Sequence, residues 1–318
     1  MKLKFLYNLK LKPRTPFNFY LTSSCYNFEW WFDGSKCLVP ISRDPPLIVV
    51  AQQHEDLVSA DVYGNEEARS LDVERKVKWI FGLDEDLTDF YNVVGDDPIL
   101  YEVPRSLLGM RLRTTDLWNA LLIAICQQNA SFIQGWSMLC RIYKYFGSRV
   151  ELDGLRTIMP PGPTDLLEKD RLEETKVGYR AKTIMEAALA FTNFNSGFFD
   201  RVEGLKDEDA EALLREIKGV GSYTARLTLI LSQRRYSLLP LDRWLKSLAE
   251  KVYGLRDVEG GLKIKWRGWC GLAAFFVTVV LDAEVITKAL QRALGGDVKP
   301  RGESKKPTPL TLWMHSIC

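Results

Sequence analysis

Apolar residues recur at helical spacing over most of this chain, but not at its start. From residue 3 to 64 aromatic and β-branched residues dominate, and turn signals fall at Asp33-Gly34, Asp44-Pro45-Pro46 and Tyr63-Gly64-Asn65. That pattern predicts antiparallel strands, at residues 17–21, 28–32, 37–41 and 47–51. After Asn65 the period lengthens. Helices are expected over residues 66–81, 87–94, 115–128, 132–146, 180–191, 207–217, 222–231, 242–252 and 268–281. In the third of these, Leu117, Leu121, Leu122 and Ile125 form one apolar stripe, so that helix should be central and buried, with Thr114 or Thr115 as its cap. Gly147 should close the helix after it, and Pro160-Pro161-Gly162-Pro163 mark a rigid loop. The expected architecture is α+β: a small N-terminal antiparallel β domain at residues 1–65, an all-α body at residues 66–295, and a polar, Pro-rich tail at residues 296–318. The tail should be flexible, although its closing LTLWMHSIC is apolar enough to dock back.

Residues 213–231 interrupt the helical rhythm. Leu213, Leu214 and Ile217 share one helix face, and Leu227, Ile230 and Leu231 continue an apolar stripe beyond Gly219 and Gly221. Ser222 is a suitable N-cap for the second helix. The turn Lys218-Gly219-Val220-Gly221 lets the backbone come close to a ligand and turns amide groups outward, toward an anion such as a phosphate. A tight turn between packed helices would account for the glycines equally well. Asp242 follows Gly221 by 21 residues, just after Pro240-Leu241, where it is either a helix cap or a carboxylate held for chemistry.

Composition narrows the field. The 318 residues are 46% hydrophobic and 26% charged, with a formal charge of +2. This is an ordinary globular composition with room for two or three domains. So small a charge does not mark a nucleic-acid protein, and any such affinity must come from locally placed cations and amides. The six cysteines, at 25, 37, 126, 140, 270 and 318, form no CxxC pair and are expected to be reduced and mostly buried. His54 and His315 are the only histidines, which leaves little for a His-rich metal site or a Ser-His-Asp triad. No run of eighteen apolar residues occurs, so no membrane partner is expected and the protein should stay inside the cell.

The hairpin, Pro240 and Asp242 together resemble the helix-hairpin-helix motif of the DNA glycosylase superfamily. The resemblance extends over roughly residues 15 to 290. Ser24-Cys25-Tyr26-Asn27-Phe28-Glu29-Trp30 is similar to a strand of the 8-oxoguanine DNA glycosylases. Gly178-Tyr179-Arg180-Ala181 resembles their tetrapeptide that contacts the unpaired base on the opposite strand. Ile125-Cys126-Gln127-Gln128-Asn129 resembles the helix end whose side chain fills the gap left by an extruded nucleotide. Trp266-Arg267-Gly268-Trp269 is similar to a pocket-lining run of bacterial 3-methyladenine DNA glycosylase II.

The resemblance implies a two-lobed helical body with a lesion pocket between the lobes, a hairpin at 213–231 and a catalytic loop at 238–244. Asp242 is then the catalytic carboxylate. Tyr223, Trp266, Phe275, Trp269 and Cys25 line the base pocket, and Lys218, Gly219, Val220, Gly221, Gln128, Asn129, Tyr179 and Arg180 face DNA. Gln128 and Asn129 remain alternatives for the gap-filling side chain, and either also reads as a plain helix end. Where strand-cleaving relatives carry a nucleophilic Lys, this chain has Tyr223, so hydrolysis without strand cleavage is expected. An aromatic there suits cationic, alkylated bases. The edge-reading Gln of the 8-oxoguanine enzymes is replaced by Gly271, while its stacking partner persists as Phe275.

The expected activity is removal of alkylated bases from double-stranded DNA by a monomer, in the cytoplasm of a prokaryote or the nucleus of a eukaryote. Alternatives are 8-oxoguanine, hypoxanthine or uracil as the target, or a hairpin module that binds DNA without chemistry. The resemblance requires no organic cofactor and leaves room for a structural monovalent cation at the hairpin. An iron-sulfur cluster is not expected, since only Cys270 and Cys318 lie in the C-terminal part.

Overall fold

The structure, a computed structural model, describes residues 1–66, 69–193, 201–302 and 305–318. Strands β1 (Lys4–Leu11), β2 (Lys36–Arg43), β3 (Pro46–His54) and β4 (Leu57–Gly64) form one antiparallel sheet in the order β1-β4-β3-β2. Two expected strands are absent. Residues 17–21 fall largely within a short helix, α1 (Phe19–Ser24), because the Asn18 side chain accepts from the Leu21 amide and caps it. Residues 28–32 form turns instead, with the Trp31 and Phe32 amides bonded back to the Phe28 carbonyl.

The two-residue period of the sheet divides its side chains between two cores. On β3, Ile48 and Val50 join the core of the helical body. Leu47, Val49 and Ala51 point the other way, into a second core with Val73, Val77 and Phe81 of helix α2 (Ser70–Phe81). Residues 67 and 68, within the helix expected from 66 to 81, lie outside the described residues.

The helical body continues with α3 (Thr88–Val94), α4 (Val103–Ser106), α5 (Leu117–Gln127) and α6 (Phe132–Phe146), then α7 (Lys169–Glu174) and α8 (Arg180–Asn193). After these come α9 (Asp207–Arg215), α10 (Ser222–Gln233), α11 (Arg243–Val252), α12 (Val258–Trp266), α13 (Cys270–Val280) and α14 (Ile286–Leu294). Helix α5 is central: all its residues except Ile123 and Gln127 are buried. Its cap is Asp116, which accepts from the Asn119 amide at 2.9 Å, rather than either threonine before it. Helix α6 opens with a capping box between Ser131 and Gln134. Strands β5 (Ser148–Leu152) and β6 (Leu155–Met159) form an unexpected hairpin inside the helical part. Asp153 and Gly154 turn it, both at positive φ, as a tight two-residue hairpin requires.

The tail is not loose. Leu312 is fully buried, Trp313 packs edge-on against Phe32 at 4.9 Å, and Cys318 is disulfide-bonded to Cys140 of α6. This corrects the expectation of six reduced cysteines. The pair is 178 residues apart, so no local spacing announces it, and only the docked tail brings the two sulfurs together. Cys25, Cys37, Cys126 and Cys270 are free and buried.

Candidate active site

Helices α9 and α10 flank the glycine turn. Leu213, Leu214, Ile217 and Val220 are buried while Lys218, Gly219 and Gly221 are exposed, so the turn is anchored by its apolar side chains and presents mainly backbone. Gly219 has φ +91, a left-handed conformation, and a Cβ there would run into the Thr183 hydroxyl. Gly221 lies at φ −97 with open space around it, and it is Gly221, not Ser222, that occupies the N-cap, with no side-chain cap. The first amides of α10 are therefore not covered by a capping side chain, as an anion-binding helix end requires.

Gln128 braces this turn from behind. Its Nε2 donates to the Gly219 carbonyl at 3.0 Å and to Thr224 Oγ1 at 2.7 Å. Asn129, next in the chain, is exposed at positive φ; Arg243 Nη2 donates to its Oδ1 at 3.2 Å, and its Nδ2 lies 3.4 Å from the Tyr179 hydroxyl. Neighbouring residues thus serve different partners. Tyr179 is 58% exposed, but Arg180 is buried, donates to the Gln128 carbonyl and lies under the Tyr179 ring. Arg180 is therefore largely withdrawn from the surface, with its guanidinium bonded to the Gln128 carbonyl, while Tyr179 stays exposed.

A cleft of about 1540 Å³ opens beside the hairpin. Arg226 of α10 pairs with Glu211 and Glu259 and donates to the Leu239 carbonyl at 3.2 Å, fastening the loop that precedes Asp242. Asp242 caps α11, accepting from the Leu245 amide at 2.7 Å, and its side chain reaches solvent through the cleft. The protein crowded around it raises its carboxyl above the ordinary carboxylate value, and this desolvation outweighs the opposing pull of the backbone amides at the helix start. A helix N-terminus by itself would lower it, but that pull does not prevail here. Tyr223 lines the same cleft, and burial together with the Asp242 charge pushes its hydroxyl well up, so the phenol stays neutral.

Cys25 and Phe275 also line the cleft, but Trp266 and Trp269 do not. Trp266 is fully buried and donates to Asp97 Oδ2 at 2.9 Å, and Trp269 packs on Phe90 and Tyr236. Their place is taken by rings the sequence did not single out. Tyr26 stacks on Trp136 at 5.3 Å and meets Phe132 at 5.9 Å and Phe275 at 5.7 Å. Phe132 and Trp136 are one helical turn apart on α6, a spacing that reads as ordinary core. Gly271 has a steric reason: a Cβ would lie 2.7 Å from Ile230 and 3.0 Å from the Leu238 carbonyl, leaving no room for a glutamine. Among the described residues, no three His, Cys, Asp or Glu side chains gather as a metal site, and no helix is long and apolar enough to cross a membrane.

No family model matches the sequence. It is 27% identical over 230 residues to a DNA-3-methyladenine glycosylase of Bacillus subtilis, covering 65% of this chain and 73% of that protein. It is 25% identical over 205 residues to a probable N-glycosylase/DNA lyase of Methanothermobacter thermautotrophicus, covering 57% of this chain and 64% of the relative, just under two thirds of its length. In three dimensions it is similar to the 3-methyladenine DNA-glycosylase of Archaeoglobus fulgidus, with a TM-score of 0.69 and 19% identity over 91% of this chain and 99% of that one. It is similar also to the 8-oxoguanine glycosylase/lyase of Clostridium acetobutylicum, with a TM-score of 0.68 and 18% identity over 86% and 96% of the two chains. The chain therefore has the α+β fold of the helix-hairpin-helix DNA glycosylases and resembles members of both the 3-methyladenine and the 8-oxoguanine branches.

Proposed function

We propose that this protein is a DNA glycosylase of base excision repair that removes alkylated purines by hydrolysis and leaves an abasic site. The observation that carries this reading is the shared cleft: the Asp242 carboxylate and the Tyr223 ring open onto one cavity walled by Tyr26, Phe132, Trp136 and Phe275. A glycosidic bond inside a duplex is out of reach, so the nucleotide turns out at a cost of roughly a few kcal/mol, lowest for a damaged base. Asn129 and Tyr179, both exposed and linked through Asn129 to the cleft-lining Arg243, would occupy the vacated space, while the hairpin amides hold a phosphate.

As the C1′–N bond breaks, its electron pair leaves with the base and the sugar becomes oxocarbenium-like. The Asp242 charge stabilises that cation, and its oxygen orients a water and takes the proton as the water adds to C1′. A cationic alkylated base departs neutral and needs no proton donor, which suits a cleft that neither histidine lines. Its positive charge is also attracted to electron-rich ring faces. With Tyr223 where strand-cleaving relatives have an amine, the reaction stops at the abasic site.

The test is a panel of duplexes carrying N7-methylguanine, N3-methyladenine, 8-oxoguanine, hypoxanthine or uracil, each assayed with and without alkali, together with borohydride trapping. Release from the methylated duplexes, with strand breakage only after alkali, is the expected result. Release confined to 8-oxoguanine would overturn the substrate class. A borohydride-trapped adduct would overturn hydrolysis alone, and Lys76, the lysine among the cleft-lining residues, would be the first nucleophile to replace. No release from any duplex would leave a DNA-binding module.

A further inference from the structure

Tyr26 occupies an unusual position. Its backbone is left-handed, at φ +49, a conformation that costs a non-glycine residue about 1 kcal/mol or more unless its surroundings impose it. Three ties do so. The Tyr26 amide donates to the Pro309 carbonyl at 2.8 Å, Arg113 points at the Tyr26 carbonyl from 3.4 Å, and the Tyr26 hydroxyl shares a 2.5 Å hydrogen bond with Thr278 on α13. The ring is thereby laid parallel to Trp136, at an interplanar angle of 10°.

The first of these ties comes from the chain's last residues, and those residues are themselves fastened. The Thr308 amide donates to Thr311 Oγ1, Thr308, Thr311 and Leu312 are buried, and Trp313 lies over Gly34 and Phe32. Ser137 Oγ donates to the Ile317 carbonyl at 2.9 Å, and Cys318 is bonded to Cys140. Ser137 and Cys140 belong to α6, the helix that carries Phe132 and Trp136. The connections form a closed circuit. Tyr26 is held by Pro309, the tail runs to Cys318, the disulfide enters α6 at Cys140, and one turn away Trp136 returns to the Tyr26 ring.

We propose that Tyr26 is a specificity-determining wall of the base pocket, and that residues 308–318 are the strap that positions it, latched by the Cys140–Cys318 disulfide. The proposal rests on the glycosylase reading of the cleft. The bonds that fasten the strap run to Tyr26 and to α6, the elements that carry the pocket's rings, so it governs how well the base is held rather than the bond-breaking step. Reduction by a dithiol opens the latch: the S–S bond takes up two electrons and two protons to give two thiols, and the dithiol becomes its own disulfide. The Tyr26 backbone is then free to relax toward negative φ, carrying the ring off Trp136.

The test compares the full-length wild type, the wild type reduced with excess dithiol, Cys318→Ser, Tyr26→Leu and Tyr26→Phe. Release of N7-methylguanine is measured as kcat and KM, and hydrogen exchange is followed at the Tyr26 amide. Reduction and Cys318→Ser should raise KM roughly threefold to tenfold, in the range of a weakened ring-cation contact, with kcat within about twofold. Both should also speed exchange at the Tyr26 amide. Tyr26→Leu should raise KM about as much as the open latch, and Tyr26→Phe should restore most of the loss. An unchanged KM or an unchanged Tyr26 exchange rate after the latch is opened overturns the strap. An unchanged KM in Tyr26→Leu overturns the wall. If Cys318→Ser fails to fold, the reduced wild type decides. If the wild type releases no base at all, the function reading fails, and quenching of tryptophan fluorescence by N7-methylguanosine, a cationic purine, replaces KM as the readout.

Discussion

Asp242 is pulled in two directions. The amides at the start of α11 favour its charge, crowding in the cleft disfavours it, and the crowding prevails. If the ionised carboxylate stabilises the departing sugar, the acid limb of the single-turnover rate against pH should bend above the ordinary aspartate value of 3.8, with activity lost as pH falls through the raised value. A limb at or below that value would remove Asp242 from the mechanism. Stability carries the opposite sign. A carboxyl whose folded-state pKa is raised favours folding below its unfolded value, and this advantage is lost as pH rises through the folded value. Asp242→Asn keeps an N-cap oxygen, so it should melt at or above the wild-type temperature at pH 7, with the difference vanishing in acid. Its base release should fall by at least about a hundredfold. The place of Asp242 in the cleft was legible because it follows the hairpin closely along the chain. Trp266 was not, because a short run of matching residues says nothing about helical phase, and the phase of α12 turns the indole inward to Asp97.

Among the elements, the hairpin shows how two glycines in one turn differ. Gly219→Ala forces a left-handed backbone on a side chain and drives its methyl against Thr183; a loss of about 1–3 kcal/mol in stability is expected. Gly221→Ala meets open space at an ordinary φ, so thermal melting should stay near the wild type while affinity for duplex DNA weakens. Equal effects of the two changes on melting would contradict this division. The sequence marks both glycines and cannot rank them, since the difference lies in a contact with α8. Helices with long apolar stripes, such as α5 and α6, were readable because burial there follows the period. Helices α12 and α14 were passed over, and so was the β5–β6 hairpin, although Asp153-Gly154 carries an ordinary hairpin signal. Lying between helices, it was read by its neighbourhood.

At the scale of the molecule, the sheet is not a separate body. Leu3, Phe28, Ile48, Val50 and Tyr63 share a core with the helices, the amides of Leu3 and Glu151 join the chain's first residues to β5, and the Tyr63 hydroxyl donates to Asp153 at 3.0 Å. The boundary near residue 65 marks a change of secondary structure, and composition registers such changes without registering shared cores. Thermal unfolding followed by far-ultraviolet circular dichroism and by tryptophan fluorescence should therefore give coincident transitions; separated midpoints would point to two independent folding units. The docked tail escaped the sequence for a related reason. Its polar, Pro-rich stretch suggests a loose end, and the burial of Leu312 and the packing of Trp313 on Phe32 and Gly34 depend on residues far away in sequence.

The bond from Gln128 to the hairpin also sets a measure of length. Gln128 is fixed to the turn that would grip a phosphate, Asn129 is exposed and bonded to Arg243, which lines the cleft, and the Cα atoms of Gln128 and Asn129 are separated by one peptide link, about 3.8 Å. The reach from the turn to the Asn129 side chain is then set by one covalent link and the two hydrogen bonds of Gln128. On the proposed function, a phosphate held at the turn would therefore sit at a short, set reach from the Asn129 side chain.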